Sequence, residues 1–409
     1  MHKVAIVDDD ADIVTIAAKA LRAAGYAVVT AADGEAGLRL IRAERPSVVL
    51  LDLIMPKMHG FAVCQEIRKD SSLDHTRIIV VSAKTYGVDI AKTRELGADL
   101  HLAKPFSVEE LLRAVNTMIG AQSEVWVKFW GTRGSIATPG PNTVRYGGNT
   151  ACVEVRGGDT VLMLDCGTGA REMGAALARE FAGRPLQVHL FVSHTHWDHI
   201  QGFPFFAPAY LPGSVITIYS ARGCDKRLDR IFTGQMDTTY FPVALSDLRA
   251  ELHFVELDGV IDLGSIKVAH MYLNHPGIAV GFRIETAGKR IVYVTDHEVY
   301  SRMSGEAGHL RKLDDEVDQF ASGADLYIRE AQYTDAEYPG KKGWGHSTWT
   351  DALRSAQVAH AAQLGLYHHD PGRDDEALDS IVAECRGYIR EQGMNLGCFA
   401  AADRQRMNL

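Results

Sequence analysis

The 409-residue chain is poor in cysteine, has no basic excess, and contains no apolar run near the length of a membrane span. Its six cysteines form no CxxC pair and no dense spacing, which excludes a disulfide framework and a thiolate zinc site. A reducing, cytoplasmic setting is expected. The opening residues, MHKVAIVDDD, show no charged stretch leading into a long apolar run and no cleavage pattern, so neither export nor membrane insertion is expected. Internal repeats and low-complexity tracts are also lacking. The net charge of −9 is uneven, because residues 1–120 carry 15 Lys/Arg against 16 Asp/Glu and the acidic excess falls in the remainder. A surface that neutralises many phosphates is basic, which argues against a long polynucleotide substrate and against DNA as a partner. No compact helix-turn-helix follows residue 120. A small anionic substrate stays compatible, because bound cations reverse the local sign.

The hydrophobic content of 46% is enough for two or three compact cores. Over residues 1–120, apolar runs (VAIVD, AVVTA, SVVLLD, RIIVVSA, LHLAKPF) alternate with amphipathic stretches at 11–24, 34–44, 61–68, 91–96 and 108–118. That rhythm predicts βα units, and continuous runs such as Val48–Leu51 and Ile78–Val81 suit a parallel sheet buried on both faces. After a short polar linker at 121–125 the texture becomes β-rich and Gly-rich from 126 to 409, with ACVEV, TVLMLD, VHLFVSH, VITIYS, IKVAHM, VGFRIE and IVYVTD. Two β layers flanked by helices, an αββα sandwich, are expected there, with a helix over 374–391. The fold class is therefore α/β, a doubly wound (βα)5 unit followed by that sandwich.

Ligands of open parallel sheets sit beyond the carboxyl ends of the strands, where this chain places Asp8 and Asp9, Asp52, Ser82 and Lys104. Carboxylates so close together repel unless a cation screens them, which predicts Mg²⁺ shared by Asp9, Asp52 and a backbone carbonyl near Ile54. Asp52 is then the nucleophile that accepts a phosphoryl group, with Lys104 and the Ser82 hydroxyl on its oxygens. Taken singly, strand-end aspartates cap helices and Lys-Pro marks a turn. Together with LIMPKMHG after Asp52 and KPF from Lys104, the set resembles the receiver domain of two-component response regulators over residues 1–120. The resemblance implies a sensor histidine kinase or phosphotransfer protein as partner. His101 stands where such domains usually carry a switch aromatic.

The second constellation is HLFVSHTHWDHIQG, which places His194, His196, Asp198 and His199 directly after an apolar strand. Such a loop can turn two histidines to one cation and the Asp-His pair to another, and imidazole with carboxylate suits zinc, manganese or iron. Further donors stand at later strand ends: His275, Asp296, and His368 or His369. This order resembles the metallo-β-lactamase superfamily over 126–409. By that resemblance His194, His196 and His275 hold one divalent metal ion, Asp198, His199 and His368 the other, and Asp296 bridges. His368 is preferred to His369 for its spacing from the preceding strand. Asp165 in LMLDCGTG reads either as a turn residue or, by the resemblance, as a buried aspartate that orients the ligand loop. Two adjacent cations make water acidic enough to attack near neutral pH, with Asp198 in the catalytic set.

REAQY at 329–333 and GWGHSTW at 343–349 resemble paired motifs of the phosphodiesterase branch, which includes the tRNA 3′-processing endonucleases. By that resemblance His346 contacts the scissile phosphate or protonates the leaving oxygen, and Glu330 orients it. Arg329 replaces the first histidine of the usual motif, and no basic Gly/Pro-rich arm is present. With the acidic balance, this favours small, cyclic or dinucleotide phosphodiesters over tRNA. Two other outputs compete. The same fold hosts di-iron redox and oxygen-sensing proteins, although Thr195 and Trp197 occupy loop positions where those often carry Glu, and a non-catalytic ligand-binding domain is the third reading. The short linker leads to the expectation that phosphorylation acts on an occluded site or on a homodimer interface.

Overall fold

The computed structural model describes residues 2–73, 76–82, 97–119, 125–158, 160–223, 226–304 and 308–409. The expected helical stretch 91–96 and residues 121–124 of the expected linker lie outside the described residues. The chain divides into two compact units, Met1–Ser123 and Glu124–Leu409.

In the first unit, apolar runs become the parallel strands β1 (Lys3–Val7), β2 (Ala27–Ala31), β3 (Val48–Asp52), β4 (Arg77–Ser82) and β5 (Leu100–Ala103). They are ordered β2-β1-β3-β4-β5 among the described residues. Every residue of β3 is buried, because helices cover both faces of the sheet. One face packs Val7, Val49, Leu51 and Val80 under helices Gly34–Glu44 and Gly60–Lys69. The other packs Ile6, Leu50 and Ile79 under helices Ala11–Ala23 and Val108–Ile119. Asp10 caps the first of these helices through the backbone N–H groups of Asp12 and Ile13.

The second unit opens with β6 (Trp126–Gly131), β7 (Cys152–Gly157), β8 (Thr160–Leu164), β9 (Leu186–Phe191), β10 (Ser214–Ser220) and β11 (Glu251–Glu256). It continues with β12 (Ile261–Asp262), β13 (Ile266–Leu273), β14 (Ala279–Thr286), β15 (Lys289–Val294), β16 (Leu326–Glu330), β17 (Gln363–Tyr367) and β18 (Gly397–Ala400). The last strand, β19 (Arg406–Asn408), returns to pair antiparallel with β6. Among the described residues these form two mixed seven-stranded sheets, β11-β10-β9-β8-β7-β6-β19 and β12-β13-β14-β15-β16-β17-β18.

Period-2 alternation directs one face of each sheet inward. Phe129, Val153, Leu162 and Phe191 of the first sheet meet Val268, Phe282, Ile284 and Ile328 of the second in one core. The outer face of the first sheet is covered by helices Ala170–Glu180 and Leu228–Gln235, and that of the second by Gly308–Phe320, Trp349–Val358 and Asp375–Glu391. The result is the αββα sandwich expected from the sequence. Phe282 is fully buried and meets Phe191 edge-on at 5.5 Å across the sandwich. Phe282→Ala removes that contact from a packed interior and is expected to lower stability by about 3–5 kcal/mol, read from urea unfolding of the full chain.

Candidate metal centre and phosphoacceptor site

In the second unit, chemistry collects where the strands end. β9 runs into Ser193 and the His194–His199 loop, β13 leads to His275, β15 to Asp296 and β17 to His368. Asp165, Asp296 and His368 all adopt positive φ (57°, 45° and 56°), a strained conformation that turns each side chain inward off its strand.

Three overlapping groups of donors result, one of them Asp296, His346 and His368. The ligand atoms of His194, His196, His275 and Asp296 lie within 4.8 Å of one another, as do those of Asp198, His199 and His368. Asp296 serves both of these groups, with Oδ2 3.5 Å from His194 Nε2 and 3.7 Å from His275 Nε2. Its other oxygen, Oδ1, is 3.3 Å from His199 Nε2 and 3.2 Å from His368 Nε2.

The outer nitrogens are tied down. His199 donates from Nδ1 to Asp165 Oδ2 at 2.8 Å, His275 from Nδ1 to the Gly345 carbonyl at 3.0 Å, and His368 from Nδ1 to Gln332 Oε1 at 3.1 Å. Each of these bonds fixes the tautomer and leaves Nε2 with a lone pair facing the centre. His194 Nε2 is buried and has no hydrogen-bond partner among the described residues. Facing nitrogens approach at 3.1 Å (His196 Nδ1 and His275 Nε2) and 3.2 Å (His199 Nε2 and His368 Nε2). Converging lone pairs, one of them orphaned, around buried carboxylates fit divalent cations as the missing partners.

The electrostatics agree. Burial alone would raise the Asp296 carboxyl, but His368, His199 and His194 hold it well below the usual range. Asp198 is likewise held down against its burial, by His199 and His368. Desolvation pushes His194 far below the ordinary imidazole value, so it is neutral. Burial also opposes charge on His199, yet Asp198, Asp296 and Asp165 outweigh it and raise that imidazole.

Asp165 anchors the ligand loop. It accepts from Ser193 N (2.7 Å), Ser193 Oγ (2.8 Å) and Tyr293 OH (2.8 Å) besides His199. His369 is turned away, with Nε2 2.9 Å from the Ala401 carbonyl oxygen. A Cβ at Gly134 would collide with the His368 imidazole, which explains the glycine there.

His346 is stacked 5.2 Å from the His368 ring and lies tilted 5.3 Å from His275, its Nδ1 buried without a partner among the described residues and 4.0 Å from Asp296 Oδ2. Burial drives its pKa down to about 3. Glu330, expected to orient His346, makes no direct hydrogen bond to it, since Oε2 lies 3.9 Å from Nδ1, beyond hydrogen-bond reach. Glu330 instead accepts from the Ser347 and Gln332 backbone N–H groups, so it fixes the segment next to His346. Its burial raises its pKa to about 7.

Sequence reading passed over several contributors. The Ser135 N–H donates to Asp198 Oδ2 (2.7 Å), and Gln332 holds His368. Glu298 accepts from Tyr338 OH and from the N–H groups of Gly343 and Gly345, clamping the loop that carries His346. Gln332 lies inside REAQY, Ser135 closes the run FWGTRGS and Glu298 closes IVYVTDHE, so each had only its place in a singled-out segment as a signal.

In the first unit, a cavity of about 490 Å³ is lined by Asp8, Asp9, Asp10, Ile13, Asp52, Ile54, Ser82 and Lys104. Carboxylate oxygens of Asp8, Asp9 and Asp52 lie within 4.8 Å of one another, suiting a hard cation. Lys104 Nζ bridges Asp8 Oδ2 (2.7 Å) and Asp52 Oδ1 (2.9 Å), and the Ile54 N–H meets Asp52 Oδ2 at 2.9 Å. Burial raises the Asp52 carboxyl against the pull of Lys104. Ser82 Oγ and His101 Nε2 are 2.9 Å apart.

Two family models match the chain. Residues 4–116 match the response regulator receiver domain, and residues 160–369 match the beta-lactamase superfamily domain. A probable transcriptional regulator of Guillardia theta, ycf27, is 50% identical over 117 residues, which are 28% of this chain and 45% of that protein. The chain thus spans about half the length of the curated relatives it matches first. The metallo-beta-lactamase fold protein YhfI of Bacillus subtilis superimposes with a TM-score of 0.51 at 19% identity, over 70% of this chain and 100% of that one. That likeness is one of fold. Human tRNase Z, short form, gives a TM-score of 0.46 at 22% identity over 69% of this chain and 98% of that one.

Asp165→Ala frees the outer nitrogen of His199 and the backbone of Ser193. Metal affinity is expected to fall about 10- to 100-fold, measured by chelator competition, whereas His369→Ala is expected to leave it within a factor of about two of the parent protein.

Proposed function

The chain belongs to the beta-lactamase superfamily and carries a response regulator receiver domain ahead of the superfamily domain, and from that premise we propose that it is a receiver-controlled binuclear metal hydrolase of small nucleotide phosphodiesters. The observation that supports this most directly is the sharing of Asp296 between two donor groups beside His346. In this reading His194, His196, His275 and Asp296 hold one cation, and Asp198, His199, His368 and Asp296 the other. Zinc is the preferred occupant for such imidazole and carboxylate donors, with manganese and iron as alternatives. Cations held there supply Lewis acidity and acidify water.

The chain's own residues do the rest. A cavity of about 250 Å³ is lined by Ser135, His196, Trp197, Asp198, Asp296, His346 and His368, room for a phosphodiester group. Ser135 N–H holds Asp198 in place. His346, kept neutral by its burial, presents a ring N–H to a phosphoryl or leaving oxygen. Glu330 and Glu298 fix the segments on either side of it.

In the first unit Asp52 accepts the phosphoryl group from a sensor histidine kinase or phosphotransfer protein, with Mg²⁺ on Asp9 and Asp52. Lys104 and Ser82 then meet the phosphoryl oxygens. We assign the receiver to residues 1–120, the linker to 121–125 and the hydrolase to 126–409, in a cytoplasmic protein. Among the described residues no helix is long and apolar enough to cross a membrane.

Full-length protein purified with its metal is expected to hydrolyse bis(p-nitrophenyl) phosphate, and His346→Ala to lower kcat about 10²- to 10⁴-fold. Two bound irons without hydrolysis would contradict the reading. Asp52→Ala is expected to abolish labelling by acetyl phosphate and any response of turnover to it.

A further inference from the structure

Of the chain's five tryptophans, two are more than half exposed, Trp197 at 68% and Trp344 at 57%. Both belong to segments that build the metal centre. Trp197 lies between His196 and Asp198 and lines the cavity. Trp344 stands two residues before His346, and Lys341 Nζ lies 4.2 Å over its ring.

The two segments flank one imidazole. His275 Nε2 faces His196 Nδ1 at 3.1 Å, and His275 Nδ1 donates to the Gly345 carbonyl at 3.0 Å. Trp197 therefore follows the residue on one edge of His275, and Trp344 precedes the residue on the other. Gly345 has φ +85°, and a Cβ there would strike His275, so the loop bearing Trp344 is seated tightly against the centre.

Exposed indoles lose the benefit of burial, and the segments that carry them are rigid: Glu298 clamps the Trp344 loop, and Asp165 clamps the Trp197 loop. Rigid, exposed aromatic faces are what flat ligands stack on, and base stacking tolerates any base because every base has a π-face. The cavity has room for a phosphodiester group, and Trp197 lines it, while Trp344 stands on the neighbouring loop that carries His346. Lys341, which has no carboxylate partner among the described residues, adds a cation beside Trp344 for an anionic ligand.

We propose that Trp197 and Trp344 form a nucleobase-stacking rim that selects nucleoside phosphodiesters over simple alkyl ones. This rests on the phosphodiesterase reading, but it can be tested apart from turnover. Calorimetry on the full-length, metal-loaded protein compares 5′-AMP with ribose 5-phosphate, which share the sugar phosphate and differ by the base.

The expected result is binding of AMP about tenfold tighter than ribose 5-phosphate. Trp197→Ala or Trp344→Ala is expected to reduce the preference, and Trp197→Phe to restore most of it. Equal affinities for the two ligands, or a preference untouched by both alanine variants, would overturn the proposal. In kinetics, kcat/KM for thymidine 5′-(p-nitrophenyl phosphate) over methyl p-nitrophenyl phosphate is expected to exceed about ten, chiefly through KM, and to fall in both alanine variants. A base preference in binding with neither ester hydrolysed would keep the stacking rim and remove the hydrolase reading.

Discussion

The second unit is organised around one buried anion. Asp296, 2% exposed, points one carboxylate oxygen at His194 and His275 and the other at His199 and His368. An isolated buried carboxylate costs several kcal/mol, and here the ring of imidazoles offsets that cost while burial opposes it. Imidazoles alone are an imperfect answer, since they need protons that set them against one another. Cations fit better, because one charge satisfies a carboxylate oxygen and several lone pairs together.

Strand ends deliver Asp165, Asp296 and His368, and the loops that follow strands deliver the rest. The core between the sheets fixes β8, β9, β15 and β17, and the positive φ at Asp165, Asp296 and His368 converts strand direction into side-chain direction. Sandwich packing thus buys geometry at the site. The outer anchors, Asp165, Gln332 and the Gly345 carbonyl, decide which nitrogen of each histidine faces inward. The first unit repeats the logic with a simpler centre, where β3 and β4 end on Asp52 and Ser82, and Asp8 and Lys104 follow β1 and β5, all lining one cavity.

Much of this was legible in the sequence, for physical reasons. HTHWDH packs four donors into six residues, and donors at the ends of apolar runs announce themselves, as His275, Asp296 and His368 did. The parallel receiver sheet was legible because strands buried on both faces read as unbroken apolar runs. The edge strands β11, β12, β18 and β19 were not, since a one-sided partner leaves them mixed in character. Ser135, Gln332 and Glu298 escaped because common polar residues reach the site through contacts far apart in sequence. Glu330 was read as the residue that orients His346, but its route was not legible: the carboxylate holds backbone N–H groups, which no residue pattern encodes.

The central claim is that Asp296 joins two cation sites into one centre. Elemental analysis and native mass spectrometry of the full-length protein and of Asp296→Ala test it directly. The account predicts two transition-metal ions per chain, with loss of at least one in the variant. One ion in the parent protein, or two retained without the Asp296 carboxylate, would contradict it.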